Sequence, residues 1–232
     1  SLGFGIHTAG HVAAIGPAAL ITPTITAAGR SPDGPNRLFE HRGGLIYGEP
    51  WHDPGLEWVG RRCTSVWETW DIPVIVSLSG DDPDLLHCIR ELNQVEGIAG
   101  FEVALTNHQL PTQFERVRSA CDMPLLLKLP AAPPTMLAML AQAAAAVGVD
   151  TLTLMGPAAV AGGSYVNPAF GALTLHAVQS LAGTTALEIS ACGGIHDTGT
   201  ARSLLQSGAR TIQLGSWLLR DPGCIQRLRA AN

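Results

Sequence analysis

The chain has 232 residues, of which 46% are hydrophobic and only 14% are charged, and this composition predicts one globular domain spanning 1–232 and excludes a disordered chain. Fourteen basic and nineteen acidic residues give a net charge of −5, which argues against a nucleic-acid binder or a protein attached to an anionic membrane surface. Five cysteines without C-x-x-C spacing predict neither a disulfide framework nor a zinc cage and favour a reducing cytoplasm, and no apolar run approaches the roughly 18 residues of a membrane span.

Short apolar runs recur along the chain and rarely alternate polar with apolar residues, as is typical of parallel strands covered on both faces. Between them, Asp84–Val95 has helical periodicity, Met136–Val147 is rich in alanine, and Asp197 is placed to cap a further helix. The segments Arg30–Asn36 and Gly156–Gly163 are predicted to be loops. The predicted strands are Ala19–Thr24, Pro73–Leu78, Gly100–Leu105, Pro124–Leu129, Thr151–Met155, Ala186–Ser190 and Thr211–Leu214.

This alternation of strands and helices admits either a (β/α)8 barrel or an open doubly wound sheet. The chain length favours the barrel, an α/β fold of about 250 residues. Because only seven strands are visible, we expect the first strand of such a barrel to lie before Ser1 or to be absent.

Lys128 is the single lysine of the chain, and it lies within the apolar run Pro124–Pro130. An ammonium group in a buried strand requires an anionic or strongly accepting partner. A charged residue at the carboxyl end of a barrel strand faces the mouth where ligands bind, so the position favours a role at a ligand. The alternative is an edge strand from which the ammonium reaches water.

Two of the last strands are followed by glycine turns, Gly193-Gly194 and Gly215-Ser216. Glycine allows backbone N–H groups to approach an anion closely. Since the last two strand-to-helix loops of a barrel commonly bind phosphate, the two turns predict a phosphate site between them. Taken singly, each glycine is equally consistent with a tight turn or a helix cap.

These residues resemble the dihydroorotate dehydrogenase family of flavin-binding barrels, and the likeness extends over Gly3–Pro222. The resemblance implies a (β/α)8 barrel that binds FMN and is often a homodimer, and it leaves open an Fe–S partner subunit such as some members use. A fixed cation beside the pyrimidine edge of the flavin, the place implied for Lys128, stabilises negative charge on the reduced ring. The similar segments are Thr22–Thr26, Phe101-Glu102-Val103, Lys128-Leu129-Pro130, Gly193-Gly194-Ile195 and Leu214-Gly215-Ser216, and the implied flavin contacts are Thr22, Lys128, Gly193, Gly194, Gly215 and Ser216.

The substrate side departs from the family pattern. Pro23 stands where the family has a lysine, Ala104 where it has an asparagine, and Asn107 where it has a catalytic cysteine or serine. An amide cannot act as a general base, so His108, the neighbouring titratable residue, is the candidate base, with a solvated loop histidine as the alternative. Tyr47 stands near the position of a family asparagine in the loop after the second strand.

Two further groups of residues have a structural and a functional interpretation. His7 and His11 have the i, i+4 spacing of metal ligands on a helix, but no third ligand follows at a recognisable spacing, so we predict no metal site. Four tryptophans crowded into one segment indicate either core packing or a subunit interface. They are Trp51, Trp58, Trp67 and Trp70.

Three functions fit these observations. The preferred one is an FMN-dependent oxidoreductase for a small molecule other than dihydroorotate, in which Lys128 tunes the flavin and His108 or a water acts as base. The second is a non-catalytic relative that serves as a binding or interaction protein, with or without flavin. The third is a phosphate-binding lyase or isomerase in which Lys128 forms a Schiff base, and the order of the matched motifs disfavours it.

Overall fold

A sheet of seven parallel strands forms the centre of the protein in the computed structural model, which describes residues 4–5, 12, 14–30, 38–41, 43–48, 53–104, 111–155, 159–160 and 163–230. Its strands are β1 (Leu20–Ile21), β4 (Val74–Leu78), β5 (Ile98–Ala104), β6 (Leu125–Leu129), β7 (Thr151–Met155), β10 (Glu188–Cys192) and β11 (Thr211–Gln213). Each pairs with the one before it in this series, so the strand order never reverses. A doubly wound sheet contains such a reversal and a (β/α)8 barrel does not. The prediction of a barrel that is incomplete is therefore confirmed, with seven parallel strands in the described residues.

Each of the seven predicted runs contains a strand, and three strands, β1, β5 and β10, differ from the predicted bounds by two residues or more, β5 because it begins two residues earlier, at Ile98. Strand β1 is shorter than predicted and ends at Ile21, before Pro23, which has no N–H group to donate to a ladder. Strand β10 begins and ends two residues later than predicted. The Thr185 hydroxyl accepts a hydrogen bond from the amide of Leu187 (3.1 Å), and this turn delays the strand.

A second sheet of four antiparallel strands was not predicted. It contains β2 (Leu38–His41), β3 (Gly44–Gly48), β8 (Ala159–Val160) and β9 (Gly163–Val166), in the order β2-β3-β9-β8. The prediction of a plain loop over Gly156–Gly163 is therefore wrong, because β8 lies within it and β9 begins at its end. These strands follow the carboxyl ends of β1 and β7, so the second sheet lies on the side of the barrel mouth.

Helices cover the outside of the parallel sheet. Helix α3 begins two residues before the predicted start because Asp81 caps it, accepting a hydrogen bond from the amide of Asp84 (3.2 Å). Helix α4 begins at Pro111, since proline is favoured in the first helical turn. The helices are α1 (Gly55–Arg62), α2 (Thr64–Trp67), α3 (Asp82–Leu92), α4 (Pro111–Ser119), α5 (Pro134–Ala146), α6 (Phe170–Leu181), α7 (Thr198–Gln206), α8 (Ser216–Arg220) and α9 (Cys224–Ala230).

The tryptophan-rich segment anchors the N-terminal residues. Trp67 is almost completely buried and donates a hydrogen bond from Nε1 to the carbonyl of Phe4 (2.9 Å), and the ring of Phe4 lies 5.5 Å from that of Trp58. A Cβ on Gly5 would lie 2.3 Å from the Trp70 ring, so the chain passes close to this indole. The packing interpretation holds for these three tryptophans, and Trp51 lies outside the described residues.

The chain segments next to the two edges of the parallel sheet contact each other. Arg229 of α9, which follows β11, donates to the carbonyl of Gly16 (2.9 Å), and Gln226 donates to the carbonyl of Ala14 (3.1 Å), shortly before β1. Within the described part of the chain, no helix is both long and apolar enough to cross a bilayer.

Candidate functional site

Lys128 lies on β6, which is in the middle of the sheet between β5 and β7. Leu125 and Leu127 of this strand line a small cavity together with Phe114 of α4, on the outside of the sheet. Because successive side chains of a strand point to opposite faces, Lys128 points into the barrel. The alternative of a lysine on an edge strand is therefore wrong.

Glu102 on the neighbouring strand β5 is the partner of Lys128. Lys128 Nζ lies 3.1 Å from Glu102 Oε1. The Glu102 side chain is wholly buried, whereas 19% of the Lys128 side chain remains exposed at the mouth. The expectation that this lysine requires an anionic partner is confirmed.

Other polar side chains hold the second oxygen of Glu102 and extend the network around the barrel. Glu102 Oε2 accepts hydrogen bonds from Thr153 Oγ1 (3.0 Å) and from Gln213 Nε2 (2.8 Å). On the opposite side, Ser77 Oγ lies 3.4 Å from Glu102 Oε1 and 2.9 Å from Thr24 Oγ1. Each of five strands, β4, β5, β6, β7 and β11, thus contributes one side chain to a polar cluster inside the barrel.

The electrostatics of this cluster favour a charged lysine. Burial, the largest single influence, lowers the pKa of Lys128, but the charge and hydrogen bond of Glu102 together with the charge of Cys192 outweigh it and leave the pKa raised above the ordinary value of 10.5. Burial raises the pKa of the nearby Cys192 thiol, against the lowering influence of Lys128. A Schiff-base lysine must be deprotonated to attack a carbonyl, so this environment disfavours the lyase or isomerase hypothesis.

A side chain of α6 holds the turn after β10 by its backbone carbonyls. Thr174 on α6 is buried, and its hydroxyl shares its proton between the carbonyls of Cys192 (3.2 Å) and Gly193 (3.1 Å). A trans peptide points its N–H away from its C=O. The amides of Gly193 and Gly194 therefore point away from α6, as an anion-binding turn requires.

Gly194 also has a packing requirement. Its φ is +69°, and a Cβ there would lie 1.9 Å from the amide nitrogen of Gly171 at the start of α6. Only glycine fits such a close approach of two backbones. The tight-turn interpretation of Gly194 is therefore confirmed, and the anion site stays a prediction.

The turn after β11 is more open. Gly215 is exposed, and a Cβ on it would meet no atom within 4 Å. Ser216 is half-buried and begins α8. Since β10 and β11 are paired, with Cys192 opposite Gln213, the turns that follow them lie side by side.

Of the remaining residues that the sequence analysis singled out, some lie among the described residues and others do not. Thr22 is buried, and its hydroxyl accepts the Ser77 amide and donates to the carbonyl of Pro23, both at 3.0 Å. Ala104 is half-buried at the end of β5, where its backbone is opposite Lys128. The candidate catalytic residues Asn107 and His108 lie outside the described residues, as do His7 and His11, and the side chain of Tyr47 is not described.

Several residues of the site were not predicted from the sequence, among them Glu102, Gln213 and Thr174. Glu102 was part of a family-like strand, but its pairing with Lys128 depends on strand register. Gln213 lies on β11, 111 residues from Glu102 in the chain, so no local pattern connects the two. Thr174 lies within an uncharged helix, where nothing in the pattern distinguishes it from a packing residue.

Among the residues that the structure describes, no group of three or more histidine, cysteine or acidic side chains is arranged to hold a metal ion. No protein-family model matches the chain. The catalytic subunit of dihydroorotate dehydrogenase B (NAD+) from Desulforudis audaxviator (strain MP104C) is similar to it, with 26% identity over 259 aligned positions that cover 99% of this chain and 84% of that protein.

Two solved structures have a similar fold. The dihydroorotate dehydrogenase of Eimeria tenella in complex with ferulenol gives a TM-score of 0.79 at 15% identity, covering 93% of this chain and 74% of that one. The ligand-free form of the Eimeria protein gives 0.78 at 14% identity, covering 91% and 75%. The resemblance to the dihydroorotate dehydrogenase family is thereby confirmed.

Proposed function

We propose that this divergent relative of the dihydroorotate dehydrogenases binds FMN at the barrel mouth and is an oxidoreductase for a small molecule other than dihydroorotate. The observation that carries the proposal is the position of the Lys128 ammonium, which Glu102 holds inside the mouth at 3.1 Å. Strand β10, which leads to the Gly193-Gly194 turn, is separated from β6 only by β7. One ligand with a phosphate and an electron-accepting ring can therefore reach both features.

The residues present fit FMN. The amides of Gly193 and Gly194 point away from α6, and the space beside Gly215 is open, as the phosphate requires. Lys128 supplies a fixed positive charge for the pyrimidine edge of the ring. FMN, when bound, supplies a two-electron acceptor and donor for hydride transfer. The hydroxyl of Thr22 is already bonded within the protein, so we assign Thr22 to the wall of the site.

The described substrate side offers little polar recognition. Pro23 has neither a charge nor an N–H donor, and Ala104 has no polar side-chain atom, whereas the family has a lysine and an asparagine at these positions. Removal of two polar groups at once favours a substrate that differs from dihydroorotate. We assign the base to His108 or to a water, beside Asn107.

The loss of polar groups at Pro23 and Ala104 also favours a second candidate function. A barrel that has lost substrate-side groups while keeping Lys128 and the glycine turns also fits a non-catalytic protein that binds flavin or another phosphorylated ligand. The two candidates predict different behaviour of the loaded protein. An oxidoreductase reduces its bound FMN with some small-molecule donor under anaerobic conditions, and a binding protein leaves it oxidised with every donor in the screen.

Assembly is a further part of the proposal. The relative from Desulforudis is named a catalytic subunit, which supports a partner for this chain as well. We propose a homodimer, with an Fe–S subunit as the alternative route for electrons. Sedimentation of the purified chain distinguishes a dimer from a monomer, and co-expression with an Fe–S subunit tests the alternative.

The FMN site is tested by a pair of variants at Gly215. A Cβ on Gly215 meets no atom within 4 Å, and its backbone, with a φ of −122° and a ψ of −83°, lies outside the main regions of L residues, so both variants carry the same backbone strain and their comparison isolates the charge. Gly215→Asp and Gly215→Asn have nearly the same size and differ in charge. We expect FMN affinity, measured by quenching of flavin fluorescence, to fall at least about tenfold more in the aspartate variant, since a carboxylate repels phosphate. Equal affinities of the two variants would contradict a phosphate at this turn.

A further inference from the structure

Glu102 is held as a carboxylate at the base of the barrel mouth. Its side chain has no exposed surface, yet each of its oxygens has two polar neighbours. Oε1 faces Lys128 Nζ (3.1 Å) and Ser77 Oγ (3.4 Å), and Oε2 faces Thr153 Oγ1 (3.0 Å) and Gln213 Nε2 (2.8 Å). A buried carboxylate is tolerated only with such a set of donors.

We propose that Glu102 is a positioning residue that keeps Lys128 protonated and fixes its ammonium in the mouth, so that the FMN site faces a neutralised ion pair. The part of this inference that concerns the flavin rests on the proposed function. The part that concerns the charge of the lysine stands on the geometry of the described residues alone.

The groups that face Lys128 show why its charge depends on Glu102. Glu102 approaches from β5 and Cys192 from β10, and both influence the pKa of Lys128. The pKa of the Cys192 thiol is itself raised by burial, so this thiol is neutral near pH 7. Within the described residues, Glu102 is thus the anion that balances the lysine, and without it burial would favour the neutral amine.

The ion pair also decides what a bound ligand experiences. The field of a neutralised pair falls off faster with distance than that of a lone cation. Lys128 therefore acts on the ligand atoms that touch it and has little effect on the rest of the ring. Loss of the negative partner would leave either an uncompensated cation at low pH or a neutral amine at high pH, and FMN affinity would become dependent on pH in that range.

The single lysine of the chain makes its charge directly measurable. Labelling with 13C-lysine gives one Cε resonance, and its chemical shift reports protonation of Lys128 in the purified chain without any ligand. We expect the wild-type resonance to titrate above 10.5. In Glu102→Gln the pKa is expected to fall by at least about two pH units, as it does for buried unpaired lysines. Glu188→Gln, which removes an exposed carboxylate at the opposite end of β10, is the matched control and is expected to leave the resonance unchanged.

Glu102→Asp keeps the charge but withdraws it by one methylene. We expect the pKa of Lys128 in this variant to lie between its values in the wild type and in Glu102→Gln. If the glutamine variant does not fold, the pKa of Lys128 in Glu102→Asp tests the inference in its place. A Lys128 pKa that stays at the wild-type value in the folded Glu102 variants would overturn the inference.

The flavin part has its own readout. FMN titrations at pH 7 and at pH 9.5 are expected to show a constant affinity for the wild type and for Glu188→Gln. For Glu102→Gln the affinity is expected to be at least about fivefold lower at pH 9.5 than at pH 7, because the amine has lost its charge. An equal affinity of Glu102→Gln at both pH values would overturn the flavin part. A wild type that binds no FMN would instead refute the proposed function, while the lysine titration still tests the role of Glu102.

Discussion

Removal of the Lys128 charge tests how much the buried ion pair contributes to stability. In Lys128→Met the apolar replacement leaves Glu102 wholly buried without its cation. Loss of one partner of a buried pair costs about 3–5 kcal/mol. Three neutral donors remain around the carboxylate, from Ser77, Thr153 and Gln213, so we expect the lower end, about 3 kcal/mol.

The double variant Lys128→Met/Glu102→Gln isolates the interaction. We expect Glu102→Gln alone to cost about 2 kcal/mol and the double variant to cost no more than that, which gives a coupling energy of about 3 kcal/mol. Urea unfolding followed by tryptophan fluorescence measures all four proteins, since Trp67 is buried in the native state.

The size of the Lys128→Met cost at pH 8 gives a second check on the ion pair. A cost below about 1 kcal/mol at pH 8, or a coupling energy near zero, would refute the reasoning that the pair is buried and mutually dependent.

Three further predictions concern the turns and caps around the site. Gly194→Ala combines a strained φ of +69° with a backbone clash at Gly171, and we expect it to lower the free energy of unfolding in urea by more than about 3 kcal/mol. Gly183→Ala, with a φ of +78° and open space around the new Cβ, should cost only about 1 kcal/mol. Similar costs of the two variants would contradict the packing of Gly194 on α6. Thr174→Val removes the hydroxyl that orients the Gly193 and Gly194 peptides, so we expect FMN affinity to fall about fivefold, which corresponds to one hydrogen bond. Thr174→Ser keeps the hydroxyl and should bind FMN nearly as well as the wild type. An unchanged FMN affinity of the valine variant would argue against the orienting role of Thr174. Asp197 caps α7, and its hydrogen bond from the Thr200 amide lowers the pKa of the Asp197 carboxyl. The stabilisation by this cap is therefore present above the unfolded-state pKa of 3.8 and is lost as the pH falls through the lower folded-state pKa. Asp197→Ala should cost about 1 kcal/mol at pH 7 and less at pH 3, and a cost independent of pH would contradict a charged cap.

Much of the barrel was accessible from the sequence because its strands are buried on both faces. The run around Lys128 illustrates this, since continuous leucines indicate a covered strand and a charge within them requires a partner. The partner itself was not predictable. The pairing of Ala104 with Lys128 sets which residues of β5 lie near the lysine, and a register shift of one residue would turn Glu102 to the other face.

The antiparallel sheet was missed for a different reason. Strand β3 pairs with β9, and Leu45 is opposite Val166, so the partners are separated by more than one hundred residues. Both segments are short and contain glycine, which weakens any strand signal in a local pattern. Likewise, the role of Thr174 arises only when α6 packs on the end of β10.

The measurement that most directly tests the account is the visible absorption spectrum of the freshly purified protein, followed by titration with FMN, with Lys128→Ala in parallel. We predict a flavin spectrum for the wild type, present at isolation or restored by added FMN, and weaker binding by the folded variant. A wild-type protein that is folded and colourless, and that leaves added FMN free in solution, would contradict the assignment of the barrel mouth as a flavin site.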